Sequence, residues 1–281
     1  MVCILELKTT QSIHIKTLMD SLNPLLTDIN IHFYPSVIKS KGDSDTEDKV
    51  GGVVIKEVNK TQSILINCKL DATNFDSYYY NYKNDKITIG INLPNFLKCI
   101  KCMTNCDTMT WKIDSDDINK LIMILENSNE KKIFKINLMD LDDNDYEIEP
   151  VKFPYQIIMP TQDFQNHCKN MNGMTEKMEI KCAGNTLFLS GIGDLGVIEF
   201  ELNAINNSTG LTIKKTTTSS TEIVQGKFEL KYLSIFTRCS NLCNHVSIYL
   251  KNSYPLIIEY YVATLGKIKF VLSPCKNNSD S

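Results

Sequence analysis

Short β-like runs fill most of this 281-residue chain, and only four segments read as helices, arranged as two pairs. That arrangement restricts the fold more than any other feature. The candidate helices are 11–22, 93–103, 161–171 and 229–239, each with apolar residues at i, i+3/i+4 and i+7 spacing. Ile15, Leu18, Met19 and Leu22 mark the first stripe, and Leu230, Leu233 and Phe236 the last. Pro94 suits a first helical turn, where its missing N–H is not needed. From Ser12 to Leu93 is 81 positions, and from Thr161 to Phe228 is 67. Residues 36–50 (SVIKSKGDSDTEDKV) are a polar stretch of 15 without a counterpart in the second half. Without it the two spacings nearly coincide. The pattern predicts an internal duplication, two copies of one α+β unit with a loop insertion in the first. Two similar β-rich halves would give the same spacing by coincidence.

The strand candidates alternate with period two or are rich in β-branched residues. They are 2–8, 29–34, 53–58, 62–70, 77–82, 86–91, 108–113, 119–125 and 131–139 before a break, and 154–159, 177–182, 185–190, 195–202, 221–228, 245–251, 255–261 and 267–272 after it. The break is DLDDNDYEIEP, residues 140–150, with six acidic residues and no basic one. Such a run reads as a solvated linker.

The net charge is −3, which argues against a general nucleic-acid binder unless charge is segregated. It is segregated. Lys98 and Lys101 share a helix face, as do Lys231 and Arg238; Lys16 lies on the first helix and Lys169 on the third, near Gln162 and Asn166. Acid gathers in the linker and at 43–48. Helix by helix, lysine on the wet side is ordinary. The four together point to one basic surface able to hold phosphates without reading bases.

Other chemistries find little support. No run of about 18 apolar residues predicts a membrane helix, and MVCILELKTT lacks the layout of a secretory signal. Several of the ten cysteines (Cys3, Cys68, Cys99, Cys182) sit in apolar-periodic segments, so reduced thiols are expected rather than a disulfide framework. Cys99 and Cys102 form a CxxC with Cys106 nearby, and a zinc site would need a second pair such as Cys239 and Cys243. A CxxC on an amphipathic helix is more often packing than ligation, so no metal is expected. The four histidines are scattered, SGIGDLG (190–196) is neither a Walker A nor a dinucleotide loop, and no nucleophile motif occurs. The chain reads as a non-enzyme that needs no cofactor.

Several motifs carry a resemblance. YPLIIEYYVATLGKIKFVLSP (254–274), IGINLPNFLKCIKC (89–102), LMDLD (138–142), MPTQDF (159–164) and KYLSIFTRCS (231–240) fall in order along nearly the whole chain. Together they resemble sliding DNA clamps of the proliferating cell nuclear antigen (PCNA) family. The resemblance implies an α+β DNA-clamp fold: an N-terminal clamp domain at 1–137, an interdomain connecting loop at 138–153 and a C-terminal clamp domain at 154–281. Three copies would close head to tail into a ring, a homotrimer, with the helices lining the hole. Lys16, Lys98, Lys101, Lys169, Lys231 and Arg238 would face double-stranded DNA. Thr17 and Asn166 stand where the family is often basic, so the lining would be less positive than usual.

The resemblance also implies partners and edges. DNA polymerase and repair proteins would dock a PCNA-interacting peptide, with its Gln and aromatic pair, at Val58, Gln62, Leu65, Tyr146, Ile148, Pro255, Ser273 and Pro274. Tyr146 replaces a common aliphatic residue, and Gln62 a common His. A clamp loader would place the ring, and no membrane is involved. Ring closure would use edge strands 131–137 and 197–202, with Ile133, Phe134, Ile136, Met171, Ile198 and Phe200 at the subunit interface. A subunit of a heterotrimeric ring, or a clamp-like viral accessory factor, is the alternative. Abundant Ile, Asn and Lys suggest an AT-rich genome such as that of a large DNA virus, so the site of action would be a nucleus or a viral replication compartment.

Overall fold

The computed structural model describes residues 2–38, 49–104, 108–144, 146, 151–204, 210–216 and 223–275. It forms two compact units whose chain segments interleave. The first holds Met1–Lys60, Ile66–Tyr146 and Tyr261–Ile268; the second holds Thr61–Leu65, Glu147–Tyr260 and Lys269–Ser281. The predicted strands are present, almost all within two residues of their expected ends. Three further short strands occur, at Val37–Ile38, Lys49–Val50 and Thr212–Lys215. Runs of two residues, and the lysine-ended TIKK, carry too little alternation to be read from sequence.

In the first unit a five-stranded antiparallel sheet runs Lys131–Asn137, Lys120–Glu126, Thr108–Asp114, Cys3–Thr9, Ser77–Tyr80. A second layer places Gly52–Val58, Asp28–Phe33 and Ile87–Asn92 side by side. Helices α1 (Ser12–Leu22) and α2 (Leu93–Ile100) pack against one another. Strand alternation sends Ile29, Ile31 and Phe33 into the core, where Phe33 and Phe96 of α2 both meet Trp111 edge-on at 6.4 and 5.4 Å. Asn92 starts α2 by accepting the Asn95 N–H at 3.2 Å, with Pro94 in the first turn.

In the second unit a four-stranded sheet runs Gly196–Asn203, Thr186–Gly193, Lys177–Ala183, Ile223–Glu229. A second layer orders Thr212–Lys215, Tyr155–Pro160, His245–Leu250 and Leu256–Val262. Helix α3 spans Thr161–Met171. Helix α4 is shorter than its periodicity predicts: Leu230–Phe236 is α-helical and Thr237–Asn241 tightens into a 3₁₀ turn. Thr161 Oγ1 donates into that turn's surroundings, reaching the Ser240 and Cys243 carbonyls at 3.1 and 3.0 Å. The core here is a stacked pair, Phe236 and Phe270 at 4.3 Å, with Tyr260 edge-on to Phe270. Cys168 and Cys182 are buried in this unit as free thiols, and burial pushes them up to about 12 and about 11.

Candidate functional site

The predicted basic surface depends on the exposed faces of the helices. On α2, Lys98 is exposed and donates to Asn95 Oδ1 at 2.9 Å; Lys101, just past the helix end, is exposed and lies 3.5 Å from Asp20 of α1. Lys16 on α1 is half-buried. Asp20 thus offsets part of the charge that the lysines supply. Sequence reading overlooked it because one acid in a helix carries no pattern. In the second unit Lys169 and Asn166 are exposed on α3. Lys231 opens α4, exposed, 4.9 Å above the Tyr232 ring and 3.6 Å from Glu229. Arg238 is exposed on the 3₁₀ turn rather than on α4 itself.

Each unit ends its sheet in an open strand. Among the described residues, Lys131–Asn137 pairs along one side only, with Lys120–Glu126. Ile133 is 54% exposed, while Phe134 and Ile136 are half-buried on the other face. Gly196–Asn203 likewise pairs only with Thr186–Gly193; Ile198 and Phe200 are half-buried, and Phe200 lies 5.2 Å from the His167 ring of α3. The two edges differ in charge: KKIFKIN carries three lysines and no acid, GVIEFELN two glutamates and no base. Met171 requires a correction. It is fully buried at the end of α3, packed into its own unit, and has no side-chain surface to give a neighbouring subunit.

The start of the connecting segment is held to the first unit by hydrogen bonds and ion pairs, beginning with the Leu138 N–H, which donates to the Asn119 carbonyl at 2.9 Å. Met139 N–H donates to the Gly90 carbonyl at 2.8 Å, Asn30 Nδ2 to the Asp142 carbonyl at 2.9 Å, and Lys86 Nζ to Asp143 Oδ2 at 2.6 Å. His32 Nε2 lies 3.7 Å from Asp143 Oδ1, and its Nδ1 is 3.0 Å from Thr88 Oγ1. The Lys86 hydrogen bond holds the Asp143 carboxyl below its usual range. Gly90 is required here: a Cβ would sit 2.4 Å from the Met139 oxygen. Sequence analysis missed Asn30, His32 and Lys86. The available signal was Asn30 and His32 two apart on a strand, hence on one face.

Of the predicted peptide-pocket residues, Gln62, Leu65, Ser273 and Pro274 belong to the second unit, where Ser273 N–H donates to the Ser63 carbonyl at 2.9 Å and Thr61 Oγ1 is 3.2 Å from the Tyr232 hydroxyl. Gln62 is exposed with φ +54°, and Leu65 is half-buried. Pro255, half-buried, immediately precedes the Leu256–Val262 strand of that unit. Val58 and Tyr146, both half-buried, belong to the first unit. Ile148, Cys106 and residues 39–48 of the insertion lie outside the described residues.

Two α+β units, each with a helix pair and an open sheet edge, define a clamp-type chain. Comparison with known proteins makes the assignment specific. Residues 4–147 match the proliferating cell nuclear antigen N-terminal domain and residues 147–275 its C-terminal domain. The chain belongs to the proliferating cell nuclear antigen family. A probable DNA polymerase sliding clamp 1 of Paramecium bursaria Chlorella virus 1 is 27% identical over 272 residues, covering 96% of each chain. A probable DNA polymerase sliding clamp of Acanthamoeba polyphaga mimivirus is 27% identical over 302 residues, covering 98% of this chain and 63% of that one. The crystal structure of the proliferating cellular nuclear antigen of Entamoeba histolytica superposes with a TM-score of 0.83 at 21% identity, over 98% of this chain and all of that one, which shows the shared fold. Membership carries the coarse role that the motifs suggested, a DNA sliding clamp and polymerase processivity factor.

Proposed function

We propose that three copies of this chain close head to tail into a ring around duplex DNA and tether a DNA polymerase to its template. The observation that carries this reading is the pair of open strands, seven and eight residues long, alternating in burial and opposite in charge. An open apolar edge invites pairing, and opposite charge favours unlike edges meeting, which is a heterologous contact that closes only as a ring. Ile133, Phe134, Ile136, Ile198 and Phe200 supply its apolar surface. The domains run 1–137 and 154–281, joined by the loop at 138–153.

Lys16, Lys98, Lys101, Lys169, Lys231 and Arg238 face the DNA. Because Lys101 and Lys231 already have carboxylates within 3.6 Å, contact with phosphates is weak and topology holds the ring. Partner proteins dock a short peptide at Val58, Gln62, Leu65, Tyr146, Ile148, Pro255, Ser273 and Pro274. A loader opens the ring, and the protein works in a nucleus or a viral replication compartment without a catalytic step of its own. The test is polymerase extension on primed circular DNA with a loader. Longer products with the intact protein, and none with a chain whose edge strands are disrupted, support the reading. Equal product lengths with both contradict it.

A further inference from the structure

A recess of about 320 Å³ on the first unit is lined by His32, Tyr34, Val54, Asn67, Asn144 and the Gly51 backbone, with four lysines, Lys49, Lys56, Lys69 and Lys86, around it. Asp143 is the single carboxylate among its described lining residues, and it is engaged by Lys86 at 2.6 Å and His32 at 3.7 Å. Lys69 also has Asp71 at 3.3 Å, outside the recess. Among the described lining residues, four lysines thus face one carboxylate, in a chain whose total is −3. Strand alternation fixes which way this surface looks. His32 pairs with Val54 across the strands Asp28–Phe33 and Gly52–Val58, and their neighbours Phe33, Val53 and Ile55 point into the core. Phe33 and Phe96 of α2 meet the same Trp111, so the recess opens on the sheet face away from α2 and its lysines. A concave site with one sign of charge concentrates the opposite charge. Its wall continues into Asp143–Asn144, two residues before Tyr146 of the proposed peptide pocket.

We propose that this recess binds the carboxylates of a partner peptide, a short Asp/Glu run lying next to the apolar anchor residues. The inference rests on the peptide-docking reading above and gives it a charge preference: partners of this clamp carry acid beside their anchor. A duplex is the less suited occupant, because the recess turns away from the helix face and is bounded by the connecting segment.

The test is fluorescence anisotropy and backbone-amide NMR on the full chain at 50 and 300 mM salt. One peptide has a Gln and aromatic-pair anchor with neutral flanks, a second adds four glutamates, and a third keeps the glutamates but has alanine for its anchor. The second peptide is expected to bind about tenfold tighter than the first at low salt. That advantage is expected to vanish at high salt and in both Lys56→Gln/Lys69→Gln and Lys49→Gln/Lys69→Gln, with the first peptide unaffected. An equal affinity for both peptides, or an advantage that survives both double variants, overturns the proposal. If no anchor peptide binds while the third still shifts the amides of Lys56 and Lys69, the recess stands and the anchor pocket falls. If a 12-base-pair duplex shifts those amides and the third peptide does not, DNA is the ligand and the proposal fails. Acid-dependent binding that emerges only after deletion of residues 39–48 also overturns it, by making the chain's own acidic run the occupant.

Discussion

The two units solve the same problem with different interiors and opposite edges. The first gathers Phe33 and Phe96 around Trp111; the second stacks Phe236 on Phe270 under Tyr260. Both sets of rings are buried, so the plan of two helices on strands does not depend on which aromatic residues fill it. The edges are not interchangeable. Lys131, Lys132 and Lys135 stand on one open strand, Glu199 and Glu201 on the other. The two units share their plan of layers, while their outer strands differ in charge. If the borders pair as proposed, the difference places specificity in what they can meet, more than in what the interior contains.

Truncating the cores is expected to have the largest effect. Phe96→Ala should cost the first unit about 3–5 kcal/mol, because a ring that is fully buried leaves a cavity against Trp111. Trp111 is the chain's one tryptophan, so its emission during urea unfolding reports the first unit alone. Phe236→Ala should cost about as much in the second unit. A Phe236→Ala change that moves the Trp111 transition more than Phe96→Ala does would contradict the division into two cores.

Charge at the edges comes next. Lys131→Glu/Lys135→Glu makes both borders acidic and should weaken self-association at least about tenfold, read by analytical ultracentrifugation. Adding Glu199→Lys/Glu201→Lys in the same chain restores opposite borders and should restore assembly. Failure of that rescue would mean that the lysines act within their own sheet, where Lys131 already has Glu126 of the neighbouring strand at 3.4 Å.

Two smaller effects separate the units by pH. In the first, Asp143 is bonded to Lys86 and titrates below the usual carboxylate range. Its contribution is present above about pH 4 and is lost as pH falls through the lower folded value. Both groups are more than a third exposed, so Lys86→Met should cost only about 0.5 kcal/mol. The readout is faster hydrogen exchange at the Met139 amide; unchanged exchange would remove Lys86 from the anchor. In the second unit, burial pushes His167 below its usual range, partly opposed by Asp163. The folded state holds this ring neutral against Phe200, so stability is complete above about pH 6.5 and falls as pH drops from there towards the lower folded value. His167→Asn should flatten a thermal-stability profile between pH 7 and 5.5.

Much of this was legible beforehand, for physical reasons. Apolar stripes such as Leu230, Leu233, Phe236 and alternation such as Lys120–Glu126 are periodic, and periodicity is local information. The helix lysines and the strands 131–137 and 197–202 follow from the same patterns, whereas their place at sheet edges came from the family resemblance. What stayed hidden was non-local or aperiodic. The Lys86–Asp143 pair spans 57 positions. Asp20 cancels charge from a neighbouring helix, and the convergence of Lys49, Lys56, Lys69 and Lys86 depends on strand order. Met171 was misassigned although it extends the buried stripe of Phe164 and Cys168 at i, i+4 and i+7, a spacing that marks the core face.

Ring closure is the centre of the account, and the molar mass of the purified chain tests it most directly. Light scattering coupled to gel filtration at micromolar concentration should return three times the 32.0 kDa chain mass, unchanged on moderate dilution. A species of 32.0 kDa under those conditions would contradict it.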